Sequence, residues 1–484
     1  MISWAYEIVG KVKLGDERLS KRLVTMIETF VEKPASSIPD ACDTWAATEA
    51  TYRFLDNEAV VPERVTEAMA EATAGRCQGL PLVLAVQDTT SLDFTAHTDT
   101  VGLGPLEHPK RRGLFVHTTL AVNPDGGVPL GIISQQMWAR DPATVGKSDQ
   151  RKEVPVEGKE SGRWVVSVQE TEGRLGASVA VLTVADREAD VYELFVLAHE
   201  LRGQWLIRAR HDRNLVGEEQ RLVAAVEHQP VCATTTVDLP RTDQRAARRA
   251  TLEVRRAQVV LRPPQRPVGV IATWWTEHPT IEQLVPGKLP PLPVGVVLVT
   301  EVGLPSGVKP VRWLLLTNRP VETTEQALEC VALYRLRWVV ERYHFVLKSG
   351  CQIEKLQLET ANRLMRAVVV YSEVAWRLLW LTYEVRAQPD APCTVVFDDL
   401  TWRLVEVAVD PTAVLPLTPP TLRTTLRKIA KLGGFLGRTG DGEPGVKTIW
   451  RGLRRLADLT EGVRLAHDHP TLFPPQLPTL STCV

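Results

Sequence analysis

The sequence predicts an α/β protein whose strand-rich core is interrupted by a β-rich insertion and flanked by helical domains at both ends. Three observations predict it. Two short apolar runs, LVLAV at 82–86 and VAVLTV at 179–184, have the length and β-branched content of buried strands, and each leads into an aspartate, Asp88 and Asp186. From about 214 to 300 the texture changes to many β-branched residues, several prolines and the arginine-rich run RTDQRAARRATLEVRR. Residues 1–75 read as helices with polar connections, and the chain beyond Asn362 returns to helix.

Composition bounds the possibilities. A chain of 484 residues suits two or three domains. A hydrophobic share of 44% with 24% charged residues is ordinary for a soluble globular protein. No apolar run reaches membrane-spanning length, and the start MISWAYEIVGKVK lacks the basic head and apolar centre of a signal peptide. A bacterial cytoplasm, with association to the nucleoid, is the expected location. The 7 cysteines include no CxxC pair, which argues against a zinc site or a disulfide framework. The net charge of −1 does not advertise nucleic-acid binding, so any DNA surface must come from local basic patches.

Taken in order, the first predicted helix carries Lys11, Arg18 and Arg22 at helical spacing, which suits a solvated face or a phosphate-binding surface. Residues 79–135 read as a strand, a polar loop holding Lys110, Arg111 and Arg112, and a hairpin turned at NPDGG, 123–127. Residues 161–175 suit a helix, and 177–210 a strand, a helix and a strand. Residues 311–316 form a core strand. Thr323 and Gln326 have the spacing of a capping box. It opens a helix running through LYRLRWVVERYHFVLKSG, in which Tyr334, Arg337, Glu341 and Lys348 share a narrow arc. A long apolar helix to about Glu384 and a proline-containing connection (385–420) follow. Arg423, Arg427, Lys428 and Lys431 then form a basic stripe. The segment 446–466 places Trp450, Leu453, Leu456, Leu459 and Val463 at helical intervals, as a docked core helix or a partner helix would.

The chemistry lies in three carboxylates. Asp88 and Asp186 stand at the C-terminal ends of predicted strands, where open α/β sheets hold their sites. Glu341 lies on a half-apolar helix between two cations. Each aspartate alone reads equally as a turn residue or helix cap. Together the three offer hard oxygen ligands suited to Mg²⁺ or Mn²⁺. Two such ions could activate a water and stabilise the leaving oxygen of an in-line phosphoryl displacement.

Asp88-Thr-Thr-Ser, Asp186-Arg-Glu-Ala-Asp190 and the spaced signature Tyr334, Arg337, Glu341, Lys348 together resemble the DDE transposases of the insertion-sequence-four family. Other landmarks agree in order: Leu14-Gly-Asp-Glu-Arg18, Tyr52-Arg-Phe, Arg112-Gly before Val116-His117, Lys159-Glu-Ser-Gly-Arg-Trp164, Trp313-Leu-Leu-Leu-Thr317 and Leu432-Gly-Gly-Phe435. The resemblance implies a ribonuclease-H-like catalytic core at 76–365 with its insertion at about 214–300. It implies a DNA-end-binding domain at 1–75, and a C-terminal domain at 366–484 for dimerisation and DNA contacts. Asp88 would bridge two metal ions, with Asp186 on one and Glu341 on the other. The implied activity is cut-and-paste transposition through end hydrolysis, hairpin formation and resolution, and strand transfer. The implied partners are double-stranded DNA, as terminal inverted repeats and target, and a second protomer in the DNA complex. Trp313 would stack a flipped base, and Tyr334, Arg337 and Lys348 would grip nearby phosphates. Arg208, Arg210, Lys11, Arg18, Arg22 and Arg112 complete the candidate DNA contacts. Phe345 departs from the pattern, which often places a basic residue four positions after the glutamate. A non-transposing structure-specific nuclease and an inactive DNA-binding descendant are the alternatives. The intact carboxylate set and Trp313 argue against them.

Overall fold

A computed structural model of the chain describes residues 4–108, 110–144, 159–239, 248–265, 289–304, 307, 310–412 and 414–472. The chain divides into two compact units, one of Met1–Val60, Tyr343–Leu356 and Arg366–Val484, the other of Val61–Arg342 and Gln357–Met365.

The first unit begins with α1 (Trp4–Val9), α2 (Glu17–Glu32), α3 (Ile38–Cys42) and α4 (Trp45–Asp56). Asp16 caps α2 by accepting Arg18 N–H at 2.8 Å, and Thr44 caps α4 by accepting Ala47 N–H at 3.2 Å. α2 buries Leu23, Val24, Met26, Ile27 and Phe30 at i, i+3 and i+4 spacings. The expected first helix is therefore two. Gly15 takes φ +86°, a conformation glycine adopts without strain, and separates them. Lys11 lies in this break while Arg18 and Arg22 ride on α2, so the three do not share a helix.

The second unit holds α5 (Pro62–Cys77), β1 (Leu82–Asp93), β2 (Gly104–Pro105), β3 (Arg112–Val122), β4 (Pro129–Trp138), α6 (Gly162–Leu175), β5 (Ala180–Ala185), α7 (Tyr192–Glu200) and β6 (Gln204–Arg208). It continues with α8 (Leu222–Glu227), β7 (Ala233–Leu239), β8 (Arg248–Leu261), β9 (Leu292–Val302), β10 (Arg312–Thr317), α9 (Thr324–Arg335) and α10 (Trp338–Phe345). The strands form one mixed sheet in the order β2-β3-β1-β5-β6-β10-β9-β8-β7, with β4 also on β3. Pairing is parallel for β1–β5 and β5–β6 and antiparallel elsewhere.

Two sequence expectations change here. β1 does not stop at Val86: it runs to Asp93 through the residues expected as a polar loop. The parallel ladder with β5 ends at Val86↔Val184, but β3 keeps pairing from Gln87↔Thr119 to Asp93↔Gly113 and satisfies the backbone of those polar residues. Strands of the 214–300 stretch join the same sheet, β9 pairing with β10. Residues 241–247 of the arginine-rich run lie outside the described residues, and Arg248, Arg249, Arg255 and Arg256 lie on β8. One apolar core packs Trp164, Tyr192, Phe195 and Trp205 with β9 and β10 residues. Another joins Ala70 and Cys77 of α5 to Val83, Ala85, Ile133 and Val181.

The chain then returns to the first unit with α11 (Ala361–Ala387), α12 (Asp399–Val409), α13 (Leu422–Leu432) and α14 (Val446–Asp468). α12 falls within the expected connection. Asp398 caps it through Thr401 N–H at 2.7 Å, and Trp402 and Val405 pack with Leu426, Ile429 and Ile449. On α14, Trp450 and Leu456 are buried while Leu459 and Val463 are exposed. The basic stripe of α13 is partly neutralised, with Arg423 and Arg427 on Glu443 and Lys428 on Glu406. Among the described residues, no helix is long and apolar enough to cross a membrane.

Candidate active site

Register places the two aspartates. Val86↔Val184 is the last parallel pair of β1 and β5, and Asp88 and Asp186 each stand two residues beyond it on adjacent chains. Neighbouring strands lie about 4.8 Å apart, so the ladder delivers the two chain segments side by side just before their aspartates. Asp186 immediately follows β5, as its strand-end position predicts. Its side chain caps a short 3-10 turn by accepting Glu188 N–H at 2.9 Å. Asp88 differs from expectation: it is mid-strand, opposite Thr118, and accepts Thr89 N–H at 2.9 Å.

Glu341 enters from α10. The helix expected to carry Tyr334, Arg337, Glu341 and Lys348 is not continuous. α9 ends at Arg335, and tight bonds Arg337 N–H to Tyr334 O (3.1 Å) and Val339 N–H to Leu336 O (3.0 Å) lead into α10. Such i→i+3 turns advance about 120° per residue rather than 100°, which breaks the common arc. Arg337 and Glu341, four apart, remain paired through Arg337 Nη2. The capping box opening α9 has both of its bonds, as the spacing of Thr323 and Gln326 predicts. Lys348 sits on a π-turn of the first unit, with its Nζ 3.4 Å from Glu354.

Asp88 lies within the electrostatic field of both other carboxylates. Burial, followed by the charges of Asp186 and Glu341, pushes its pKa up to about 7, against the pull of the Arg337 guanidinium and the Thr89 N–H. Burial opposes the Arg337 charge, yet Tyr334, Glu341 and Asp88 hold its pKa above the ordinary value. Among the described residues, no three His, Cys, Asp or Glu side chains are drawn into a closed metal cluster. Glu341 turns to Arg337, and Asp186 caps its own turn. The donor set still suits a divalent cation in its chemistry, because Asp88, Asp186 and Glu341 offer hard carboxylate oxygens and the charges of Asp186 and Glu341 both act on Asp88.

The remaining candidates divide by position. Tyr334 is buried and meets Trp313 edge-to-face at 5.4 Å between centroids; Trp313 is itself only 7% exposed. Burial lowers the Arg208 pKa, and the charges of Tyr334, Arg187, Arg337 and, of the three carboxylates, Asp186 act on it. Its Nη2 donates to Arg312 O at 2.7 Å. Arg210 is exposed, and its backbone N–H donates to Asp190 Oδ2 at 2.7 Å. Arg112 begins β3, six residues from Thr118, or about 20 Å along the strand. Its guanidinium reaches His97 O at 3.3 Å. Lys11, Arg18 and Arg22 belong to the first unit.

Sequence reasoning missed two sets of groups. Asp190, fully shielded, accepts Arg210 N–H and His211 N–H and pairs with Arg213, fixing the loop after β6. Thr89, His117, Arg163 and Glu188 form a hydrogen-bonded chain beside the aspartates. They appeared in the sequence only within landmark motifs, whose recurrence as blocks was the available signal.

Three family models match the chain. Residues 1–60 match Transposase DNA-binding, residues 170–371 match the Transposase DDE domain, and residues 373–471 match the Transposase Tn5 dimerisation domain. The DDE match includes Asp186 and Glu341 and begins after Asp88.

Proposed function

The chain belongs to the Tn5-like DDE transposases, DNA-binding enzymes of cut-and-paste transposition that use divalent metal ions, and within that family we propose that Asp88, Asp186 and Glu341 are its catalytic carboxylates. The observation that carries this reading is the register of the aspartates, each two residues past Val86↔Val184, with Glu341 in the same electrostatic field. The strand order β4-β3-β1-β5-β6, three antiparallel strands followed by two parallel ones, supports a ribonuclease-H-like core within 76–365.

Asp88, Asp186 and Glu341 would hold two Mg²⁺ or Mn²⁺ ions, which would supply water activation and leaving-oxygen stabilisation for each in-line displacement at phosphorus. The protein's own groups do the rest. The ladder with β3 holds Asp88 in place on β1, and the turn after β5 holds Asp186. Arg337 pairs with Glu341 and orients it. Arg337, Arg208 and the Tyr334 hydroxyl would offer donors to phosphate oxygens. The reaction runs through end hydrolysis, hairpin formation, hairpin opening and strand transfer. Trp313 lies edge-on to Tyr334, and a flipped base stacks on it only by reaching that buried face.

Residues 1–75 bind the terminal inverted repeats, with Lys11, Arg18 and Arg22 on phosphates. Residues 366–484 pair two protomers on paired ends, and the exposed Leu459, Val463 and Leu465 of α14 support a partner helix there. Lys348, Arg210 and Arg112 contact the end or target duplex.

The test is incubation of purified protein with Mg²⁺ and DNA carrying its own flanking inverted repeats. Nicked and then hairpinned ends are expected, on complexes holding two protomers. Asp88→Ala, Asp186→Ala and Glu341→Ala should each reduce cleavage to background while leaving end binding largely intact. Full cleavage by any of the three would remove that residue from the site.

A further inference from the structure

Three landmark segments meet at the hydroxyl of Thr89, the residue after Asp88, and a fourth joins them through Arg163. Thr89 Oγ1 accepts Arg163 Nε–H at 2.9 Å and lies 2.9 Å from His117 Nδ1 on β3. From the first turn of α6, Arg163 also donates Nη2–H to Glu188 Oε2 at 2.7 Å and Nη1–H to Glu160 O at 2.6 Å. Its guanidinium lies 5.5 Å from the ring centroids of both Trp138 and Trp164, and Trp164 meets His117 edge-on at 4.5 Å. The Arg163 side chain is 13% exposed.

These contacts bridge a gap in the sheet. The β1–β5 ladder ends at Val86↔Val184, short of both aspartates. Past it, the chain carrying Asp186 turns away on a short 3-10 turn. Negative charge on Asp88 and Asp186 tends to splay the two segments apart. One arm of the Arg163 fork holds the residue after Asp88, and another holds the residue two past Asp186. Only a planar guanidinium presents donors in several fixed directions at once; an ammonium is a single point of attachment.

We propose that Arg163 is a positioning residue that ties the Asp88 strand to the Asp186 turn and sets the spacing of the two carboxylates for the divalent ions. The proposal rests on the carboxylate assignment above. Arg163 touches neither metal nor DNA in this role and acts through Thr89 and Glu188.

Glu188 makes the cleanest probe. Its side chain is 58% exposed, so its ion pair contributes little to stability, and Glu188→Ala keeps the backbone N–H that Asp186 accepts. Mn²⁺ binding to the full chain without DNA would be followed by the electron-paramagnetic-resonance signal of free Mn²⁺, with Mg²⁺ titrations of end cleavage beside it. Groups that orient metal ligands typically change metal affinity by 10–100-fold, so Glu188→Ala and Arg163→Met should each weaken Mn²⁺ binding by roughly tenfold. Arg163→Lys should recover only part of the loss. The double variant Glu188→Ala/Arg163→Met should bind no more weakly than Arg163→Met alone, because both break one linkage. In EDTA, Glu188→Ala should melt with the wild type. Wild-type Mn²⁺ affinity in Glu188→Ala, with binding abolished in Asp88→Ala, would overturn the staple and leave the carboxylate assignment standing. Losses that multiply in the double variant would also overturn it. If Asp88→Ala binds Mn²⁺ as the wild type does, the carboxylate assignment falls and the staple with it. Should Arg163→Met fail to fold, Glu188→Ala alone decides.

Discussion

β8 and β9 pair without interruption from Thr251↔Val302 to Leu261↔Leu292 and bury Leu252, Val254, Val294, Val296 and Leu298. At the other end of the same sheet, β1, β3 and β4 bury Gln87, His117, Thr118, Thr119, Ser134 and Gln135. One end is ladder plus apolar packing, with Arg248 reaching in to the buried carboxylate of Glu301. The other also buries apolar residues such as Val83, Leu84, Val116 and Ile133, but sets hydrogen bonds among them: Gln135 Nε2 to Thr118 Oγ1 at 3.1 Å, Gln136 Nε2 to Ser167 Oγ at 3.0 Å, and the Thr89–His117–Arg163 chain. Apolar packing tolerates small shifts, whereas buried polar networks are costly unless every partner stays in place. The site end therefore gains fixed positions at some cost in ease of packing, as the carboxylate pair proposed to hold the metal ions would require.

A paired substitution gives the largest test of that contrast. Asp190→Ala leaves the Arg213 guanidinium buried without its carboxylate, which costs about 3–5 kcal/mol. Leu298→Ala opens a cavity under β9 and costs about 2–5 kcal/mol. Calorimetry should show both melting temperatures fall. Only Asp190→Ala should also weaken cleavage at a temperature where both variants remain folded, because it releases the loop carrying Arg210. Equal damage to cleavage from Leu298→Ala would mean that the two ends are not functionally separate.

A smaller effect follows from Glu172 on α6. Burial raises its carboxyl to a pKa of about 7 from an ordinary 4.5. Among the described residues its Oε1 has no hydrogen-bond partner. A raised folded-state pKa means that folding favours the protonated acid. This stabilisation is complete below about pH 4.5 and is lost as pH rises through about 7. The difference is at most about 3 kcal/mol, and smaller because solvent still reaches the group. Glu172→Gln should therefore match the wild type near pH 5 and melt higher near pH 8. Parallel melting curves across that range would show that Glu172 is not held protonated.

Legibility in the sequence followed the same division. The runs at 82–86, 179–184 and 311–316, the NPDGG turn with Gly126 and Gly127 at φ +76° and +68°, and the Thr323–Gln326 box are local patterns, and the structure has each of them. The extension of β1 through polar residues was not legible, because its partner β3 follows a loop. Nor was the tightening at 336–337, where i→i+3 bonds replace the α-helical ones without a Gly or Pro to mark it. Asp186 could be read from its strand-end pattern, whereas Asp88 stands on the part of β1 that continues past its apolar run. Arg163 and Thr89 lie 74 residues apart, and no periodicity encodes a hydrogen bond of that reach.

Trp313 stands at the seam, on β10 between β6 and β9, and offers the finest test. If its ring stacks a flipped base, hydrolytic nicking needs only the three carboxylates and the metals, whereas hairpin closure needs the second strand bent back onto the new 3′-OH. Loss of one base–aromatic stack removes roughly 1–3 kcal/mol, or about five- to two-hundred-fold in hairpin formation. Trp313→Ala should then accumulate nicked ends while hairpins become scarce. Trp313→Phe, which keeps an aromatic face beside Tyr334, should restore much of the second step. The burial of Trp313 supplies the rival outcome. A ring 7% exposed and edge-on to Tyr334 also supports the packing where β10 meets α9. On that reading Trp313→Ala lowers the melting temperature and slows both steps alike. Denaturing gels of uncut and pre-nicked ends, run beside thermal melts, separate the two. A selective hairpin defect assigns Trp313 to the site end of the sheet, and a parallel loss of both steps assigns it to the packed end.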